Sequence, residues 1–115
     1  MRFTIERAHL LKTLSHVQSI VEKRNTIPVL SNVRIEALGD GISFKATDMD
    51  TEITEMADAK ITETGATTAP AHMLYDIVRK LPDDAEITFK QSGDQLVVSS
   101  GRAVFRLPTL PAENF

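Results

Sequence analysis

The sequence predicts an α+β fold, with two βαβββ units whose two helices pack on one face of antiparallel sheet. Three observations point to it. Two segments carry apolar residues at helical spacing, short segments between Gly- and Asp-rich turns read as strands, and the first half of the chain partly repeats in the second.

Residues 1–5 read as the first strand, and residues 6–22 follow as a helix. Leu10, Leu14, Val17 and Val21 fall at i, i+4, i+7 and i+11, which is one helix face. Lys12, Ser15, Ser19 and Lys23 cluster on the opposite face. In "VEKRNTIPVLSN" (21–32), Pro28 biases Ile27 away from helix and cannot donate within a sheet. This segment reads as an ordered connection with a basic tip, Lys23-Arg24. Strands are expected at 32–38, 41–47 and 51–58, turned by "LGDG" (38–41) and "TDMD" (47–50).

The second unit begins with a strand at 65–69 and a helix at 70–81. Ala71, Leu74, Tyr75, Val78 and Leu81 form its apolar stripe, while His72, Asp76, Arg79 and Lys80 lie on its polar face. Pro70 suits the first helical position and Pro82 ends the helix. Strands at 85–91, 94–99 and 102–107 follow, turned by "QSGD" (91–94) and "SSGR" (99–102). The repeat shows in "TIERAHLLKTL" (4–14) and "TTAPAHMLYDI" (67–77), which share Thr, then Ala-His, an apolar pair and an apolar residue three further on.

A chain of 115 residues reads as one domain, 1–115, with room for a single core. Its 42% hydrophobic and 25% charged residues are those of an ordinary soluble protein. The absence of cysteine excludes disulfides and thiolate metal sites, and fits a reducing, cytoplasmic setting. The start carries charges throughout and does not read as a signal peptide. No apolar run approaches the roughly 20 residues of a membrane span, so no membrane partner is expected. With a net charge of −3, a nucleic-acid role requires a local basic surface.

Catalytic constellations are weak. Asp48, Asp50 and Glu52 stand at i, i+2 and i+4, and on a continuous strand their carboxylates would share a face able to hold Mg²⁺. The same residues sit where a hairpin must turn, and Asp is a preferred turn residue. His9 and His16 lie on similar sides of the first helix without a third ligand nearby. No Gly-rich phosphate loop or nucleophile elbow is visible, so neither a metal nor a cofactor is expected.

Taken in order, "FTIERAHLLKTL", "RNTIPVLSNV", "TDMDTEI", "GATTAPAHMLYDIVRKLP" and "SGRAVFRLPTLPAENF" closely resemble the bacterial DNA polymerase III beta subunit family of replicative sliding clamps. The likeness runs from Met1 to Phe115 and corresponds to the first of three similar domains. The family continues past "LPAENF" into a second domain, so an isolated N-terminal clamp domain is expected. The resemblance implies a DNA-clamp fold and a non-catalytic processivity factor. In the family, two subunits close head to tail into a homodimeric ring around duplex DNA, with helices lining the hole. The implied partners are duplex DNA, a second clamp subunit, the DNA polymerase III catalytic subunit and the clamp loader. The last two would bind through domains outside this one.

The resemblance also assigns residues. The family uses an arginine in the basic connection to contact DNA, which maps to Arg24. Lys23 beside it, and Lys12, Arg79 and Lys80 on the helices, would contribute to the field. A joint to the neighbouring subunit is implied at the late strand and second helix. Phe105 and Leu107 alternate onto one strand face, Ile77 and Met73 lie on the helix flank, and Arg102 and Arg106 form a charged periphery. Met73, Gln95 and Val104 stand where the family can carry a basic residue, which departs from a fully ionic rim. Two rival readings are a metal-dependent nuclease or phosphatase built on Asp48, Asp50 and Glu52, and a protein-interaction module without a DNA role.

Overall fold

Alternating apolar residues form the strands, and the two periodic segments form the helices, in the order read from the sequence. The computed structural model describes residues 1–22 and 26–115. Among them, the first unit runs β1 (Arg2–Glu6), α1 (Arg7–Gln18), β2 (Asn32–Ala37), β3 (Ile42–Thr47) and β4 (Glu52–Ala57). A short strand, β5 (Lys60–Glu63), follows. The second unit runs β6 (Gly65–Pro70), α2 (Ala71–Arg79), β7 (Glu86–Ser92), β8 (Gln95–Ser100) and β9 (Ala103–Pro108). The sequence reading leaves out β5. Only Ile61 in it is half-buried, so it carries no alternation to read. It is held by pairing with β1, with Ile61 opposite Phe3.

The antiparallel sheet face expected beneath the helices is built from two sheets, ordered β5-β1-β7-β8-β9 and β4-β3-β2-β6. Each combines the three-strand meander of one unit with the leading strand of the other: β1 lies beside β7, and β6 beside β2. The exchange welds the repeats into one domain, since neither meander finds its inner neighbour within its own unit. The sheets are also stitched beyond β9. Asn32 Nδ2 donates to Thr68 Oγ1 (3.0 Å), and the Thr68 hydroxyl and N–H both donate to the Leu110 carbonyl (2.8 and 3.2 Å). These buried polar groups are thereby satisfied.

The core fills between sheets and helices. Leu10, Leu14 and Val17 of α1 and Leu74 and Val78 of α2 are fully enclosed, and Phe3 stacks on Phe89 with ring centroids 4.7 Å apart. α1 stops at Gln18, short of the expected end at residue 22. The Ser19 hydroxyl donates to the His16 carbonyl (2.6 Å), and the Val21 N–H donates to Gln18 (3.1 Å), tightening the last turn. Val21 still completes the apolar stripe, buried from just outside the helix. Pro28–Ser31 forms a 3-10 turn that buries Leu30. Pro70 precedes α2 as its N-cap rather than entering it.

The internal repeat is real in topology but one residue out of step with the sequence match. That match pairs Leu10 with Met73, yet Met73 is half exposed, and it is Leu74 and Val78 that take the buried places of Leu10 and Leu14. The shared Ala-His doublet therefore occupies different environments. Ala8 and His9 are exposed, whereas Ala71 is buried and His72 half-buried.

Candidate functional site

The acidic trio does not share a strand face. β3 ends at Thr47 and β4 starts at Glu52, with a tight turn between them. Asp48 Oδ1 accepts the N–H groups of Asp50 (3.0 Å) and Thr51 (2.6 Å), while the Thr47 hydroxyl donates to the Thr51 carbonyl (3.1 Å). Met49 takes a left-handed φ of 84° at the tip. The Asp48 carboxylate thus closes the turn, as turn chemistry predicts. Glu52 lies 3.8 Å from Lys45 Nζ. The carboxylate face required by the nuclease or phosphatase reading is not formed. His16 Nδ1 lies 2.7 Å from Glu55 Oε2 of β4, and His9 is exposed on α1. Among the described residues, no three potential ligands converge on a metal position.

Polar contacts join the two helices at their ends. Arg7, at the start of α1, reaches the end of α2. Its Nε donates to the Val78 carbonyl (3.1 Å), Nη2 to the Arg79 carbonyl (2.9 Å) and Nη1 to Asp83 Oδ1 (3.3 Å). A cation thereby meets the carbonyl end of α2, where the helix dipole favours it. At the opposite end, His72 Nε2 in the first turn of α2 lies 2.6 Å from the Val21 carbonyl, just beyond α1. The helices therefore run antiparallel, tied at both ends.

The expected DNA-facing cations fall into two groups. Lys23 and Arg24 lie outside the described residues. Lys12, Arg79 and Lys80 are all exposed, but they do not converge. Lys12 borders a shallow groove between α1 and β4 that also carries Glu55 and Asp58. Arg79 pairs with Asp76 at 3.0 Å and lies over the Tyr75 ring, 5.6 Å from its centroid. Lys80 lies on the far flank of α2. Each thus lies in a mixed-charge setting, and Arg79 is directly paired to a carboxylate.

The groove on that far flank, about 590 Å³, gathers half of the expected joint. Phe105 of β9 meets Met73 and Ile77 of α2 there, with Lys80, Asp76 and His72 along the polar side. Phe105 is half-buried and packs against the core from its edge. Leu107 corrects the reading. It shares the strand face of Phe105 but is fully enclosed in the domain's own core, so it has no surface to offer a joint. Val104 and Arg106 alternate onto the other face of β9, and Arg102 stands exposed at the β8–β9 turn. Neither arginine lines the groove.

Comparison with known proteins now decides the family. The model of the DNA polymerase III beta subunit, N-terminal domain, matches residues 1–115. The chain belongs to the DNA polymerase III beta subunit family. The beta sliding clamp of Caulobacter vibrioides is 57% identical over all of this chain, which covers 32% of that protein. The Escherichia coli K12 beta sliding clamp is 41% identical, again over all of this chain and 32% of the relative. A solved DNA polymerase sliding clamp from Caulobacter crescentus superposes with a TM-score of 0.97 at 57% identity, covering 100% of this chain and 32% of that one. A Bartonella birtlesii sliding clamp solved with griselimycin bound gives a TM-score of 0.97 at 45% identity, covering 100% of this chain and 31% of that one. The chain thus spans 32% of the length of these curated relatives.

Within this beta-subunit domain, sequence reading found the groove's apolar residues but missed its polar wall. His72 and Lys80 were legible only as members of a polar helix face, because their roles depend on Val21 and Phe105, residues far away in the chain. Arg7 carried no signal at all. Its three acceptors come from the second unit.

Proposed function

We propose that this chain is the N-terminal domain of a non-catalytic DNA sliding clamp, part of a cytoplasmic ring that encircles duplex DNA and tethers the replicative polymerase for processive synthesis. The observation that carries the reading is the family match over residues 1–115. The antiparallel helix pair, with polar outer faces over an apolar sheet layer, supports it physically. A sliding ring should touch phosphates and leave base edges unread, because phosphate contacts position a protein without specifying sequence. Exposed cations that do not converge suit that task, since no single register becomes a trap. Arg24, with Lys23 beside it, is the principal DNA contact, and Lys12, Arg79 and Lys80 add a diffuse field.

The groove at Phe105, Met73 and Ile77 receives a second clamp subunit, head to tail, with Arg102 and Arg106 at the periphery. The polymerase catalytic subunit and clamp loader bind elsewhere on the ring. No cofactor takes part. The test is Arg24→Ala in a ring built by grafting residues 1–115 onto the rest of the Caulobacter vibrioides subunit. Duplex binding should weaken equally for all sequences, and the slope of log affinity against log salt should fall by about one. Sequence-dependent or salt-insensitive loss would refute the assignment, and indifference to DNA at every salt concentration would favour the interaction-module reading.

A further inference from the structure

We propose that the outer face of the five-stranded sheet carries a docking row for an acidic amphipathic helix of a partner protein, formed by Arg2, Lys90, Val97 and Arg106. The row stands on strand register and is independent of the clamp reading above.

Pairing assembles it from residues far apart in the chain. Arg2 of β1 lies opposite Lys90 of β7, Lys90 opposite Val97 of β8, and Val97 opposite Arg106 of β9. Their chain neighbours Phe3, Phe89, Leu96 and Leu107 are enclosed in the core, so the row points the other way, off the face remote from the helices. Arg2, Lys90 and Arg106 are exposed, and Val97 is half-buried among them. Among the described residues, none of the three cations forms an ion pair. Glu63, the register partner of Arg2 on β5, lies instead 3.9 Å from the Met1 amine. Like charges directly opposite one another destabilise a sheet, so an anion bound across Arg2 and Lys90 relieves a standing repulsion.

The rest of the face selects the chemistry of the partner. Glu6 opposes Glu86 further along the same strands, with the hydrogen-bonded Thr4 and Thr88 hydroxyls (3.1 Å) between the two charged rows. A polyanion spread over the face would meet those carboxylates, whereas a helix laid along the cationic row would not. With strands about 4.8 Å apart, Val97, Lys90 and Arg2 lie about 5, 10 and 14 Å from Arg106. At a rise of about 1.5 Å per residue, positions i, i+3, i+7 and i+10 of one helix face fall at about 0, 4.5, 10.5 and 15 Å. The matching helix therefore carries acidic residues at i, i+7 and i+10 and an apolar residue at i+3. Running from Arg106 to Arg2, it sets its negative C-terminal end over the two adjacent cations. Val97, with Val104 diagonally beside it and 54% exposed, supplies an apolar contact that a phosphate backbone cannot use. The outward residues of β1, β7, β8 and β9 also include no aromatic ring on which bases could stack.

The experiment titrates three ligands into the dilute, fluorescently labelled chain and follows binding by thermophoresis. One is an alanine-rich helical peptide with glutamates at i, i+7 and i+10 and leucine at i+3. The second has the same composition with its glutamates moved to different sides of the helix, and the third is an oligothymidine single strand. The patterned peptide should bind about fivefold more tightly than the scrambled one, and more weakly as salt rises. Lys90→Glu and Arg106→Glu should each weaken it about fivefold, while Lys45→Glu, the same charge change on the other sheet, should not. A peptide with lysine at i+7 should recover binding to Lys90→Glu. The melting temperature of Lys90→Glu should stay at or above that of the unmodified chain, because opposite charges then face each other across β1 and β7. Equal binding of the two acidic peptides, an equal loss in Lys45→Glu, failure of the lysine rescue, or no binding by any ligand would overturn the row. Oligothymidine binding more tightly than the patterned peptide, and lost in Lys90→Glu, would make this a nucleic-acid surface and overturn the helix assignment.

Discussion

Neighbouring positions on one strand face, Phe105 and Leu107, carry different duties. Leu107 is enclosed and pairs across the sheet with Leu96, also enclosed. Truncation to Ala should cost about 2–5 kcal/mol, a core-like loss. Phe105 sits at the rim of the groove, and Phe105→Ala in the isolated chain should cost about 1–2 kcal/mol, below the roughly 3–5 of a fully buried Phe. The same change should loosen the ring's subunit joint by about 2 kcal/mol or more if Phe105 is a central anchor. Denaturant titrations of both variants check the ordering, and equal losses would place Phe105 in the core. A parallel contrast holds on the helices. Leu14→Asp and Val78→Asp each bury an unpaired charge and should unfold the domain, while Lys12→Asp, on the exposed face, should leave the melt nearly unchanged. A Lys12→Asp melt as damaged as that of Leu14→Asp would refute the facing of α1.

The two helices behave as one unit because each end of one is bound to the other. Arg7 is the stronger tie. It caps two terminal carbonyls of α2, and its side chain is only 12% exposed. Arg7→Ala should cost about 1–3 kcal/mol, since it leaves those carbonyls without a charged donor. Arg7→Lys should recover only part of this, because an ammonium lacks the planar fork that reaches both carbonyls and Asp83 together. Hydrogen exchange at the C-terminal turn of α2 checks the location of the effect, and protection unchanged in Arg7→Ala would show that the cap is not what holds that turn. The β3–β4 turn shows the reverse economy, with one carboxylate of Asp48 satisfying two N–H groups locally.

As a free-standing domain, the chain presents an apolar rim that a ring would cover. Met73 and Val104 are 49% and 54% exposed, beside the half-buried Phe105 and along β9, an edge strand of its sheet. Open edges with apolar side chains invite pairing with another chain. The isolated domain should therefore self-associate as its concentration rises, measurably by sedimentation, and Phe105→Asp should abolish the association while leaving the fold intact. A chain that stays monomeric at high concentration would count against this rim as the joint. Duplex binding by the isolated domain should be weak and should vanish with salt, because no ring encloses the DNA.

Much of this protein was legible along the chain. The stripe of Leu10, Leu14 and Val17, the buried Leu74 and Val78 of α2, the turn at Asp48 and the strand alternation around Phe105 all arise from residues close in sequence, where spacing and backbone chemistry act directly. The rest comes from residues far apart. The leading strands exchange sheets, β5 forms only because β1 offers it an edge, and the Ala-His doublets of the two units land in different surroundings. The alternation that puts Phe105 and Leu107 on one face cannot tell their depth, because depth depends on what the helices cover. Arg7 and His72 find their acceptors across the antiparallel helix pair, and a periodic pattern records which face a residue takes but not which distant carbonyl it meets.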